Sequence, residues 1–184
     1  MDSFSGKAAA GPRGRLLAIV SVAVVVLLHP SAPSASIDQR QLVFYHTHTG
    51  KRLDVVYARG DEYVESALDD VNRFLSDFRT GEEKRIDPEL LDLLYDVRES
   101  LGSDGTFEVI SAYRSPRTNE MLRRRTSGVA RHSQHLLGKA IDVRLRGVPL
   151  EKLRDAALRM HRGGVGYYEQ SDFVHLDTGR VRRW

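Results

Sequence analysis

"RHSQHLLGKAIDVRL", residues 131–145, decides how this chain is read. From Ala140 to Leu145 the side chains alternate with the period of two that marks a β-strand: Ile141, Val143 and Leu145 point one way, Ala140, Asp142 and Arg144 the other. Gly138 supplies a sharp turn just before that strand, so His135 in the preceding loop and Asp142 in the strand can face one point. A loop followed by a strand therefore presents an imidazole and a carboxylate on a polar face.

A second polar face occurs in "DFVHLD", residues 172–177, where the same period groups Phe173, His175 and Asp177 against the apolar Val174 and Leu176. If the two strands are close neighbours in one sheet, His135, Asp142 and His175 converge. Two imidazoles and a carboxylate suit zinc, and three protein ligands leave the fourth tetrahedral position open, as catalysis requires. Strict alternation places Asp177 on the face of His175. Asp172 reaches that face only where "EQSD", residues 169–172, departs from regular strand. Asp177 is then the carboxylate that fixes the His175 imidazole.

Working outward, "QLVFYHTH" and "TGKRLDVVYARGD" read as two strands joined by a turn at Gly50. Over residues 62–79, Val64, Leu68, Val71, Leu75 and Phe78 recur at helical spacing. "IDPELLDLLYDVRESLG" is a second helix, with Asp87 as cap, Pro88 in the first turn and Gly102 closing the far end. "GTFEVISAYRSP" is a strand leading to a short helix that Ser115 and Pro116 begin and that runs to about Arg125; Pro149 starts another, to about Met160. "GGVGYYEQ" and "DFVHLD" supply the last strands. The expected fold is α+β, a mostly antiparallel sheet with packed helices.

Ahead of this domain, residues 1–15 carry Lys7, Arg13 and Arg15 against Asp2, and an apolar run extends from Leu16 to Leu28, broken only by Ser21. That run is shorter than the roughly 20 residues a bilayer span needs, and "HPSAPSAS" follows it with helix breakers and small residues. Residues 1–36 therefore read as a signal peptide cleaved near Ser34 to Ser36, or else an uncleaved N-terminal anchor, and 37–184 as the working domain. The protein is expected to be exported, to the periplasm or cell envelope, touching a membrane only through that segment if it is kept. Of 28 Lys and Arg and 25 Asp and Glu, the leader removes three and one, so the remainder is nearly neutral. No polyanion footprint results, and nucleic acid is not an expected partner. With no cysteine in the chain, disulfides, thiol nucleophiles and thiolate metal sites are excluded. His-Glu-x-x-His helices and Gly-x-Ser-x-Gly elbows are absent too. His46 and His48 share a strand face but read as packing or surface histidines rather than ligands.

The residues also carry a family resemblance. "SQHLLGKAID" resembles the Ser-x-His-(six residues)-Asp motif of the zinc peptidases that include D-Ala-D-Ala carboxypeptidases, VanX-type dipeptidases and the hedgehog fold, and "DFVHLD" is similar to their third-ligand segment. "HTGKRLDVVY", "SAYRSPRTNEML", "GVGYY" and "FVHLDTGRVRRW" resemble the YcbK-like murein endopeptidase subgroup across essentially the whole domain. The resemblance implies a hedgehog/D-Ala-D-Ala-peptidase-like fold and zinc on His135, Asp142 and His175. It implies Asp172 as the catalytic base, Arg114 as the cation that steadies the developing oxyanion, and Tyr113 and Ser133 in the substrate cleft. Asp172 and Asp177 both remain candidates for the base. The implied activity is hydrolysis of amide bonds in cross-linked peptidoglycan stem peptides. The alternatives are a D-Ala-D-Ala carboxypeptidase or dipeptidase, and a zinc-containing wall-binding scaffold without turnover. Which bond is cut, the oligomeric state and any regulators are not written in the sequence.

Overall fold

Alternating strands Gln39–His46 (β1) and Arg52–Arg59 (β2) pair antiparallel around Gly50, burying Leu42 and Phe44 from one and Val55 and Tyr57 from the other. A computed structural model describes residues 1–2, 38–126 and 128–184, so nearly all of the expected leader lies outside the described residues. After β2 come β3 (Glu62–Tyr63), α1 (Glu65–Phe74), α2 (Pro88–Ser100), β4 (Phe107–Ser111) and α3 (Pro116–Arg125). They are followed by β5 (Ala140–Leu145), α4 (Leu150–Arg159), β6 (Gly164–Tyr168), β7 (Phe173–Asp177) and β8 (Arg182–Arg183). The strands form one eight-stranded sheet in the order β3-β2-β1-β4-β5-β7-β6-β8. It is mostly antiparallel; β1 with β4 and β6 with β8 are the parallel pairs. The α+β expectation holds, as a mixed sheet.

One sheet face supplies Phe44, Phe107, Val109, Ile141, Val143, Leu145, Val174 and Leu176 to a single apolar cluster. Leu68 and Val71 of α1, Leu90, Leu94 and Val97 of α2, and Leu153 and Ala156 of α4 close it. Asp87 caps α2 by accepting the Glu89 N–H at 3.2 Å, and Ser115 caps α3 by accepting that of Thr118 at 3.2 Å. The core thus fixes one face of β5 and β7, and alternation turns the other toward the site.

Three details differ from the sequence reading. The helix expected over residues 62–79 is shorter, because Glu62 and Tyr63 pair with β2 and the chain leaves the helix after Phe74. There Asp77 takes over: its carboxylate accepts the N–H groups of Arg79 at 3.0 Å and Ser115 at 2.9 Å, tying the loop to the cap of α3. Phe78 stacks on His48 with ring centroids 4.3 Å apart instead of continuing a helical stripe. The two-residue edge strands β3 and β8 are additions, too short for a periodicity to reveal. Asp142 lies on a polar face, as alternation required, but that face is covered and Asp142 is buried.

His46 is a packing residue. Its ring lies edge-on to Phe78 at 5.3 Å, and its Nδ1 accepts the His48 N–H at 3.3 Å. Burial, helped by neighbouring His48, pushes its imidazole down to about 4. The unfolded chain titrates near 6.5, so between about pH 6.5 and 4 the unfolded state binds a proton that the folded state does not. This contribution is complete above pH 6.5 and is lost as pH falls through the window. Urea unfolding should therefore show stability declining from pH 6.5 to 5, and His46→Phe should flatten the decline. An unchanged slope in that variant would assign the acid sensitivity to other groups.

Candidate metal centre

Asp142 of β5 and His175 of β7 are direct partners across the antiparallel pair, so their side chains leave the sheet side by side on the face opposite the core. His135 comes from a short 3₁₀ turn, Gln134–Leu137, that ends at Gly138 with φ 68°. A Cβ at Gly138 would sit 2.3 Å from the Arg85 carbonyl oxygen, so both the conformation and the space require glycine. A bulge in β4 between Val109 and Ser111 brings the Ala112 carbonyl to His135 Nδ1 at 2.6 Å.

The hydrogen bonds select the tautomers. The Ala112 carbonyl can only accept, so His135 Nδ1 carries the proton and Nε2 presents its lone pair. On the other ring, His175 Nε2 donates to Asp177 Oδ2 at 2.9 Å, which leaves Nδ1 facing inward. His135 Nε2 and His175 Nδ1 are 3.2 Å apart, and Asp142 Oδ1 lies 3.3 and 2.9 Å from them. Ligands at 2.0–2.2 Å in a tetrahedral shell stand about 3.3 Å apart, so this donor set fits such an ion. With His175 neutral, three lone pairs are buried against each other and repel unless a cation lies between them. Burial would raise the Asp142 carboxyl, but the imidazoles of His135 and His175 outweigh it and hold it well below the carboxylate range. Burial lowers His135; in His175 the same penalty is overcome by Asp142 and Asp177, which push it up to about 8.

The model of the family described as peptidoglycan L,D-endopeptidase MepK matches residues 34–184. The chain belongs to this peptidase family. The MepK peptidoglycan L,D-endopeptidase of Escherichia coli strain K12 is 39% identical over 187 residues, covering 100% of both chains. The probable MepK endopeptidase of Haemophilus influenzae is 37% identical over 172 residues, 91% of this chain and 92% of its own. No solved structure matches the chain. The MepK family is metal-dependent, and the group His135, Asp142 and His175 can hold a metal.

In this MepK-family chain the three residues open onto a cleft of about 780 Å³. Arg114 is buried at its base, with Nη2 3.6 Å from Asp142 Oδ2 and a buried Nε that finds no partner among the described residues. Ser133 lines the cleft while its hydroxyl accepts the His135 N–H at 3.4 Å, capping the 3₁₀ turn. Tyr113 does not line it; the side chain packs in the apolar cluster, because the strand has ended and the chain turns toward α3. Asp172 has φ 53° after the 3₁₀ turn Glu169–Ser171, a left-handed residue that breaks the strand parity. Its carboxylate consequently meets Arg144, which alternation places on the face of Asp142. Asp172 is exposed at the rim and is not among the groups lining the cleft. Arg144 also lies 3.2 Å from Glu108, at an angle too bent for a hydrogen bond. Asp177 is fully buried behind His175.

Sequence reasoning missed Arg182 and Trp184 as parts of this site, because they carry no metal-ligand or catalytic spacing.

Proposed function

We propose that the protein is an exported zinc endopeptidase that hydrolyses amide bonds in cross-linked peptidoglycan stem peptides. The convergence of His135, Asp142 and His175, with tautomers set from behind by Ala112 and Asp177, carries this reading. The names of the relatives support an L,D-endopeptidase acting on peptidoglycan, and the motif resemblance supports bridges containing diaminopimelate. The reading includes a hedgehog/D-Ala-D-Ala-peptidase type for the α+β domain, which spans residues 37–184. It includes a leader over residues 1–36 that directs export to the periplasm or envelope. Among the described residues no helix is long and apolar enough to cross a membrane.

His135 Nε2, His175 Nδ1 and Asp142 Oδ1 would hold zinc. When bound there, zinc supplies Lewis acidity that polarises the scissile carbonyl and acidifies the attacking water from 15.7 to about 7. Arg114, fixed by burial and by its backbone N–H bonded to the His135 carbonyl at 3.2 Å, lines the cleft beside the donor set and offers its guanidinium to the oxyanion that develops from the scissile carbonyl. Asp172 leaves Arg144, takes a proton from the attacking water and returns it to the departing amine. Its exposed position permits that swing. Asp177 keeps the proton on His175 Nε2 and so keeps Nδ1 available as a ligand.

Digestion of purified sacculi followed by mass spectrometry of the soluble muropeptides tests the reading. Cross-linked dimers should fall and monomers rise, a chelator should stop the change, and added zinc should restore it. Release of single D-alanine would make the protein a carboxypeptidase, and binding without soluble products would make it a scaffold.

A further inference from the structure

The metal-side faces of β6 and β8 show an unusual use of space. Gly164 and Gly166 occupy alternate positions of β6, so both face the same side, and Gly166 is the direct partner of His175. A Cβ on Gly164 would lie 2.5 Å from Arg182 Nη1 and 2.5 Å from Asp177 Oδ2. One on Gly166 would lie 2.6 Å from the Trp184 indole. The two missing side chains leave a flat track. Across it Arg182 and Trp184, at the outer edge of the sheet, reach over β6 to β7.

Arg182 crosses to make a two-pronged contact with Asp177: Nη1 donates to Oδ1 at 3.0 Å and Nη2 to Oδ2 at 2.7 Å. The same Oδ2 accepts from His175 Nε2. Oδ1 also accepts the N–H groups of Gly164 at 3.1 Å and Gly179 at 2.8 Å. Burial alone would raise the Asp177 carboxyl, but these donors, His175 and Arg182 first, hold it well below the carboxylate range. Trp184 completes the cover, its ring centroid 5.2 Å from that of His175 and its Nε1 donating to the Tyr168 hydroxyl at 2.8 Å. The Arg182 guanidinium lies over the indole, 4.9 Å from its centroid.

We propose that Arg182 is a positioning residue for the metal centre: through the buried Asp177 it fixes the imidazole of His175, and the glycines at 164 and 166 make that reach possible. The inference rests on the zinc reading above and goes beyond it. A fully buried carboxylate held only by backbone amides could rotate or draw the Nε2 proton away from His175. The planar fork of an arginine occupies one acceptor direction on each oxygen, so Oδ2 keeps a single orientation toward Nε2. Outer contacts of this kind are worth about 10- to 100-fold in metal affinity.

Zinc dissociation constants, measured by competition with a chromophoric chelator on the purified chain, test the proposal without recourse to activity. Arg182→Gln should weaken binding about tenfold or more, with Arg182→Lys recovering part of the loss. Gly164→Val, which leaves Arg182 in the sequence but crowds its guanidinium and the Asp177 carboxylate it holds, should reproduce the Arg182→Gln defect. Arg183→Gln, its exposed neighbour, should bind as the parent does. Affinity at the parent value in both Arg182→Gln and Gly164→Val overturns the proposal, even if the metal-free variants melt at lower temperature, since Arg182 would then serve stability alone. A parent protein that binds no zinc at one ion per chain would instead overturn the zinc reading.

Discussion

His135→Ala is expected to bind no stoichiometric zinc and to leave sacculi undigested. On the zinc reading the residue supplies one of the three donor atoms grouped among the described residues, and its backbone carbonyl, which holds the Arg114 N–H at 3.2 Å, is retained by the substitution. The loss therefore reports on the imidazole rather than on the loop. Two remaining donors cannot retain the ion against water, and the Lewis acidity that goes with it is worth several kcal/mol, on the order of 10³-fold or more in rate. Truncation also empties a buried position, so the folded fraction is checked by circular dichroism and thermal melting. Metal analysis beside muropeptide release then decides. A folded His135→Ala protein that digests sacculi at the parent rate would refute the metal mechanism.

Asp172→Asn is expected to produce the second large effect with a different signature. The carboxylate stands at the rim of the cleft, outside the donor set, so bound zinc should remain at one ion per chain while kcat falls by about 10²- to 10⁴-fold. Loss of its exposed pairing with Arg144 should cost little stability, since surface ion pairs contribute about 0–1 kcal/mol. Asp177→Asn provides the contrast. An amide there no longer accepts the His175 N–H as an anion, so zinc affinity drops, and excess zinc should restore much of the turnover. Parallel zinc titrations and rate measurements separate the two carboxylates. If instead Asp172→Asn turned over normally and Asp177→Asn stayed inactive when saturated with zinc, the base would be Asp177.

The difference between these carboxylates shows where reading by period runs out. Alternation in "DFVHLD" correctly put His175 and Asp177 on one face, and they are joined at 2.9 Å. By the same rule Asp172 belonged on the wrong face, but one left-handed residue after a 3₁₀ turn restores it to the side of Asp142 and Arg144. Aspartate tolerates that conformation, and nothing in its neighbours announces it. A comparable limit applies to residues 62–79, whose apolar spacing continued past the real helix end because a side-chain turn at Asp77 competed with the backbone ladder. Tyr113 shows the converse: motif position placed it at the cleft, but packing carried it into the core.

By itself the sequence determined the strand faces, the cap at Asp87, the helix start at Ser115, the α+β class, and the three residues whose donor atoms meet. These follow from local rules, namely side-chain period, capping chemistry and ligand type, which act over a few residues. Only the tertiary structure decided that β5 and β7 are neighbours with Asp142 opposite His175. It likewise decided that the Ala112 carbonyl sets the His135 tautomer, and that Arg182 and Trp184 reach the centre across a glycine track. Those relations depend on strand order and on atoms up to 40 positions apart in the chain, as His135 and His175 are, and a repeat of two or 3.6 residues carries no record of them.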